Sequence, residues 1–427
     1  MFNRLKNGVQ LAPVVKEVEV MIADVHHRIE DVEESNQFRV LESFRKYKIS
    51  DSHFIPSTGY GYDDIGRDTL GEVYADVFGG EAGLVRPQII SGTHAISTAL
   101  FAILRPGDEL LYITGKPYDT LEEIVGIRGK GIGSLKEYQI GYRSIDLTKE
   151  GRVDFQAVKE AIGPRTKMIG IQRSKGYATR PSYTISEIAE MIQFVKQIKP
   201  DVVVFVDNCY GEFVEEQEPC HVGADLMAGS LIKNPGGGIA KTGGYIVGKK
   251  EYVEACGYRL TSPGIGAEAG ASLYSLQEMY QGFFLAPHVV AQALKGAIFT
   301  AALLEKLGMN TYPLWNTPRT DLIQSVEFQD PDRMIAFCQA IQYASPINSQ
   351  FTPMPSYMPG YEDDVIMAAG TFIQGASIEL SADGPIRPPY VAYVQGGLTY
   401  SHVKIAICSA VDALIEKHLL TLEKVAQ

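Results

Sequence analysis

The chain has 427 residues, 45% hydrophobic and 21% charged, a globular composition with room for two or three structural units and a large core. Its net charge of −12 is spread without a basic tract, which argues against nucleic acid or an anionic membrane as partner. The five cysteines (Cys209, Cys220, Cys256, Cys338, Cys408) fit no zinc or CxxC spacing, no run approaches an uninterrupted apolar membrane span of about 18 residues, and no secretory pattern opens the chain. The expectation is a cytoplasmic enzyme in a reducing compartment, with no structural metal and no membrane or nucleic-acid partner.

Residues 14–46 are helix-prone, with Val14, Val18, Ile22, Val25 and Ile29 at three- and four-residue spacing. A Gly/Tyr/Asp-rich loop follows from Ser57 to Tyr62. From Leu84 to Lys249 short apolar runs alternate with helical segments. The runs QII (88–90), ELLYIT (109–114), KMIGIQ (167–172), VVVFVD (202–207), DLMAGSLI (225–232) and GYIVG (244–248) read as strands. This alternation predicts a mainly parallel sheet covered on both faces, and continuous runs such as VVVFV suit strands buried on both sides. Beyond Gly264 come helical segments at 270–309 and 331–343, a strand pair TFIQGASIEL and YVAYVQ, and a closing helix, which predict a smaller α+β unit packing with the N-terminal helix. The expected organisation is a helical segment over 1–56, a large domain over 57–290 and a small domain over 291–427.

Three features carry chemistry. Lys233, after the apolar run DLMAGSLI and before a glycine-rich turn, suits an amine nucleophile whose pKa burial would lower. Lys241 lies in the same loop and is its alternative. Asp207 ends VVVFVD, where the carboxyl ends of parallel strands form the ligand crevice, and a buried carboxylate there needs a cationic partner such as a protonated pyridine nitrogen. Ser91, Gly92 and Thr93 lead into a helix and offer free backbone N–H groups to a phosphate, although Ser and Thr in that position are usually plain caps. His94 has no evident partner and reads as structural.

These segments carry a resemblance. VFVDNCY, GADLMAGSLIKNPGG and GGYIVG resemble the cofactor core of the Cys/Met-metabolism lyases, and GGEAGLVRPQIISGTHA resembles their phosphate turn. Over nearly the full length, phrases such as GKPYDTLEEIVG, GSLIKNPGGGIA and GPIRPPYVAYVQGGLTY are closer to one branch, the bacterial aluminium-resistance or methionine gamma-lyase-like proteins. The resemblance implies an α/β fold of the aspartate-aminotransferase type (fold-type I), with a seven-stranded, mainly parallel sheet and a smaller α+β C-terminal domain. It also implies pyridoxal 5'-phosphate held by Lys233 as a Schiff base.

Matched residue by residue, Lys233 also shuttles a proton, Asp207 pairs with the pyridine nitrogen, and Gly92, Thr93 and Ser230 meet the phosphate. Tyr118 falls where the family stacks a tyrosine on the cofactor ring. Tyr60 or Tyr62 falls near a loop tyrosine that reaches a neighbouring subunit's phosphate, so a homo-oligomer (dimer or tetramer) with shared active sites is implied. Three departures stand out. The family's phosphate arginine position is Asp64 here, with Arg67 as its substitute. Ile232 stands where a hydroxyl residue usually precedes the lysine. The strand YVAYVQ lacks the substrate-carboxylate arginine, for which Arg387 is the substitute. Arg173, Ser174 and Lys175 are the candidates for the ring hydroxyl.

The implied activity is carbon–sulfur lysis, by β- or γ-elimination, of a small amino-acid substrate such as cystathionine, cysteine or methionine. The products are a thiol, ammonia and a 2-oxo acid, with Tyr118 moving a proton at the departing sulfur or the incoming amine. The alternatives are an aminotransferase or other pyridoxal-phosphate lyase on a non-sulfur amino acid, and a non-enzymatic aluminium-tolerance protein whose best oxygen cluster is Asp63, Asp64 and Asp68.

Overall fold

The structure, a computed structural model, describes residues 1–178, 180–358 and 363–422. Two compact units divide the chain: Ser35–Ala286, and Met1–Glu34 with Pro287–Gln427. Helix α1 (Gly8–Lys46) begins in the second of these and ends in the first.

The larger unit continues through α2 (Ile65–Phe78), β1 (Ala82–Arg86), α3 (Gly92–Ile103), β2 (Glu109–Tyr112), α4 (Asp119–Val125), β3 (Gly141–Ser144), α5 (Phe155–Ala161) and β4 (Thr166–Gln172). It closes with α6 (Ile185–Ile198), β5 (Val203–Asp207), β6 (Leu226–Ser230), β7 (Gly244–Gly248) and α7 (Lys250–Leu260), and it holds the first part of α8 (Leu276–Lys306). The seven strands form one sheet in the order β1-β7-β6-β5-β4-β2-β3. It is parallel except around β7, which runs antiparallel to both β1 and β6. This is the α/β, mainly parallel sheet that the alternating pattern predicts. Val203–Val206 are fully buried, as continuous apolar strands require. Local chemistry sets the helix starts: Ser91 Oγ accepts from the His94 N–H to cap α3, and Thr184 and Glu187 form a capping box on α6.

Two expected strands differ. QII is a turn after β1, which is AGLVR instead, because Pro87 removes a ladder donor just where the chain must leave the sheet. The run DLMAGSLI leaves the ladder after Ser230, so Lys233 stands on a loop beyond the strand end.

In the other unit, α1 buries Leu11, Val15, Val18, Ile22, Val25 and Ile29, one stripe at helical spacing in which Val15 replaces the expected Val14. Strands β8 (Asn310–Tyr312), β9 (Gln324–Glu327), β10 (Val365–Ala368), β11 (Ser381–Pro385) and β12 (Val391–Gln395) form an antiparallel sheet in the order β10-β11-β12-β9-β8. Helices α9 (Pro331–Tyr343) and α10 (Tyr400–Glu416) complete it. TFIQGASIEL is a series of turns, not a strand, pinned where the Glu379 carboxylate accepts from the Phe372 and Ile373 N–H groups at 2.8 and 2.9 Å. Helix α8 is long and apolar enough by composition to span a membrane, although no uninterrupted apolar run marks it. Its most apolar window is 78% buried within the protein, as a core helix requires.

Candidate active site

The carboxyl ends of β4, β5 and β6 and the start of α3 surround a cavity of about 170 Å³. Its lining includes Gly92, Thr93, Tyr118, Gln172, Ser174, Asp207, Cys209, Tyr210, Ser230 and Lys233. The parallel register explains the convergence: Gln172 pairs with Asp207, and Asp207 with Ala228, so the three strand ends arrive side by side. This is the crevice position in which open α/β sheets bind ligands.

The Lys233 Nζ stands 3.7 Å from the centroid of the Tyr210 ring. Burial pulls the Lys233 pKa down, but Tyr210, Cys209 and Tyr118 outweigh it and carry it above the ordinary lysine value. This corrects the expectation of a lowered pKa, which counted burial alone. Lys241 is separate: its side chain is 74% exposed and paired with Glu278. Asp207 is buried, and desolvation raises its pKa, opposed by the Cys209 N–H, which donates to Oδ1 at 3.2 Å, and by the charge of Lys233. A cation placed against this carboxyl would supply the stabilisation that it lacks.

At the start of α3, Gly92 leaves room that a side chain would fill, since a Cβ there would lie 3.1 Å from Cys209 Sγ. Ser230 Oγ is buried and has no hydrogen-bond partner among the described residues. Thr93 Oγ1 lies 3.1 Å from Thr120 Oγ1. Tyr118 is the residue before α4, and its backbone N–H donates to Gln172 Oε1 at 2.7 Å. Gln172 Nε2 in turn donates to the Ser174 carbonyl at 2.8 Å, so one side chain ties two cavity segments together.

Several expected residues lie elsewhere. Arg67 is buried in the first turn of α2, where it donates to the carbonyls of Gly61, Gly270 and Glu268 and pairs with Asp68 at 2.8 Å. Tyr60 and Tyr62 stack on each other, 71% and 55% exposed. Arg387, in the other unit, is exposed, with Nη1 3.4 Å from Asp363. Of the three ring-hydroxyl candidates only Ser174 lines the cavity; Arg173 is buried beneath it, bonded to Asn208, Gly211 and Glu215. His94 is structural, its Nδ1 accepting from the Ile90 N–H. Among the described residues no group of three or more acidic, His or Cys side chains is placed to hold a metal ion; Asp64 caps α2 and Asp68 faces Arg67.

Sequence reasoning missed Gln172, Cys209, Tyr210 and Glu212. Gln172 was within reach, since it ends a buried strand as Asp207 does. Tyr210 carried no signal, because it reaches the cavity through a left-handed backbone, φ +73°, with Phe213 at +62°. A non-glycine residue there stores about 1–3 kcal/mol of strain. Glu212 is wholly buried beside the lysine loop. Tyr245 OH donates to its Oε1 at 2.7 Å, its Oε2 has no partner among the described residues, and burial pushes its pKa up to about 8.

Sheet order, crevice and lysine loop together define a class, the fold-type I pyridoxal-phosphate enzymes. A pyridoxal-5'-phosphate-dependent protein from Escherichia coli shares the fold, with a TM-score of 0.61 at 17% identity over 90% of this chain and 96% of that one. More narrowly, the chain belongs to the methionine gamma-lyase family, which matches residues 11–415. An uncharacterized protein of Bacillus subtilis (strain 168) is 75% identical over 421 residues, 98% of this chain and 100% of the relative. A crystal structure from Listeria monocytogenes, provisionally named a cystathionine beta-lyase involved in aluminium resistance, is 67% identical. It superposes with a TM-score of 0.94 over 94% of this chain and 99% of its own.

The family implies pyridoxal phosphate, and the cavity fits it. Ser230 Oγ is unmatched, Gly92 keeps the start of α3 open, the charges of Lys233 and Arg180 only partly offset the burial of Asp207, and Lys233 faces the same space.

Proposed function

We propose that this chain cleaves the carbon–sulfur bond of a small sulfur amino acid such as cystathionine, cysteine or methionine, releasing a thiol, ammonia and a 2-oxo acid. One observation carries the reading: Lys233, Asp207, Ser230 and the start of α3 converge on one cavity. Pyridoxal phosphate, when bound, supplies an electron sink for the charge left on the substrate's α-carbon.

The chain's own residues do the rest. Lys233 holds the cofactor through its amine, and once released by substrate it takes the α-proton at Nζ and later returns it. Asp207 keeps a proton on the ring nitrogen by its negative charge. The Gly92 and Thr93 N–H groups, at the positive end of α3, and the Ser230 hydroxyl bind the phosphate. Tyr118 and Ser174 line the cavity, where Tyr118 would pack on the cofactor ring and move a proton at the leaving sulfur and Ser174 would meet the ring hydroxyl. Arg387 is the guanidinium offered for the substrate carboxylate. The exposed Tyr60–Tyr62 pair suits a loop that serves a second copy of the chain.

The test is a substrate screen on the purified protein. Cystathionine, cysteine, methionine and homocysteine are offered singly, with thiol and 2-oxo acid measured. Release of both without an added oxo acid is expected. Turnover that requires an added oxo acid would identify an aminotransferase and overturn the lyase. A colourless wild type, or a Lys233→Ala variant that keeps covalently bound cofactor, would overturn the role of Lys233.

A further inference from the structure

The turn after β5 holds Tyr210 in place from several sides. Asn208 Nδ2 donates to Glu218 Oε2 at 2.8 Å, and the Phe213 N–H donates to Glu218 Oε1 at 2.7 Å. Arg173 Nη1 donates to the Gly211 carbonyl at 2.9 Å. Asn234, the residue next to Lys233, donates through Nδ2 to the Glu212 carbonyl at 2.9 Å, which locks this turn to the lysine loop. A bulky residue stays in the left-handed region only where its surroundings over-determine it, and such positions gather at functional sites. The product of all this bonding is a single placement: an aromatic face against the Lys233 ammonium at 3.7 Å.

We propose that Tyr210 is a positioning residue for Lys233, whose ring face receives the lysine ammonium once the released amine has taken up a proton and holds that charge aimed into the cavity until the proton is returned. A cation over an aromatic face is attracted by the ring's negative quadrupole, most strongly where water is excluded. An amine left loose in the cavity would lose both its proton and its orientation, whereas one seated on the ring stands ready to give that proton back. The other groups acting on Lys233 are Cys209 and Tyr118, with Asp207 and Glu212 on the same turn. Tyr210 is the group in contact with the amine, through a ring face 3.7 Å away and through its hydroxyl, a side-chain hydrogen-bond partner of Lys233.

The inference takes Lys233 as the cofactor-bearing residue, and its test is independent of that reading because it uses the full chain freed of cofactor. Reductive methylation of Lys233 is followed by mass spectrometry across pH, with surface lysines as internal standards. The wild type, Tyr210→Phe, Tyr210→Leu and a chain with pentafluorophenylalanine at position 210 are compared. The fluorinated ring keeps the shape and removes the negative face, so it decides the matter even where leucine fails to fold. Tyr210→Phe, which loses the hydroxyl but keeps the ring face, should label Lys233 at a rate between those of wild type and the fluorinated chain. The fluorinated and leucine chains should label Lys233 about tenfold faster at a fixed pH below its pKa, a shift of about one unit. Equal rates for phenylalanine and its fluorinated form would overturn the proposal. A Tyr210→Phe chain as fast as the fluorinated one would do the same, by assigning the effect to the hydroxyl.

Discussion

At the scale of single residues the site is a set of buried groups whose charges are unbalanced within the chain. Asp207 is the clearest case: burial raises its pKa, and a Lys233 already attracted elsewhere does not fully compensate. On the proposed reading a protonated ring nitrogen completes the pair. Asp207→Asn should then retain covalent cofactor through Lys233 while kcat falls by about 10²-fold or more, in line with the loss of a preorganised charge at a reacting group. Steady-state kinetics together with the visible spectrum check this, and an unchanged kcat would remove Asp207 from the mechanism. Glu212 gives a prediction about stability. Its folded-state pKa is raised to about 8, so across roughly pH 4.5 to 8 the unfolded chain sheds this proton while the folded chain keeps it. Stability from this group is therefore full at low pH and is lost as pH rises through that window, by an amount on the order of several kcal/mol. Glu212→Gln should flatten the decline of the melting temperature between about pH 5 and 8. A slope equal to that of wild type would show that Glu212 is ionised in the folded chain.

At the scale of elements, the lysine loop is held by backbone packed on backbone. Gly282, within α8, leaves no space for a side chain: a Cβ there would lie 2.2 Å from the Gly236 carbonyl oxygen, three residues past Lys233. Alanine in a helix interior normally stabilises by about 1 kcal/mol relative to glycine. Here Gly282→Ala should reverse that sign and destabilise by about 1–3 kcal/mol through overpacking, with looser cofactor retention as the loop shifts. Thermal melts with and without added pyridoxal phosphate would show it, and an unchanged or higher melting temperature would mean that the loop yields freely. The same elements show what the sequence discloses. Strand interiors declare themselves by unbroken apolar runs, and strand-end chemistry by polar residues that terminate them, which is how Asp207 was legible; Lys233, on a loop beyond Ser230, was legible through the motif around it. Close approaches such as Gly282 on Gly236, and the left-handed turn that swings Tyr210 under Lys233, depend on residues far apart in the chain or on backbone angles that no side-chain pattern encodes. Arg67 shows another limit of residue type: its three bonds to the carbonyls of Gly61, Gly270 and Glu268 join segments far apart in the chain.

At the scale of the whole molecule the open question is how many chains make one working site. Tyr60 and Tyr62 stand exposed and stacked, outside the lining of this chain's own cavity. On the proposed reading this loop serves a second copy of the chain, and a two-fold assembly exchanges such loops reciprocally. A site shared in this way makes a prediction that no single-chain site can imitate. Lys233→Ala removes the amine from a chain's own cavity, and the double variant Tyr60→Ala/Tyr62→Ala removes the loop it lends to its partner. Each alone should be strongly impaired. When the two are co-expressed, or unfolded and refolded together, random pairing makes half of the dimers hybrid. In each hybrid one cavity has an intact Lys233 from one chain and intact tyrosines from the other. Activity should then recover to about a quarter of the wild-type value per chain. Recovery no greater than the sum of the separate variants, in mixtures shown by native mass spectrometry to contain hybrids, would return both tyrosines to the surface of a self-sufficient chain.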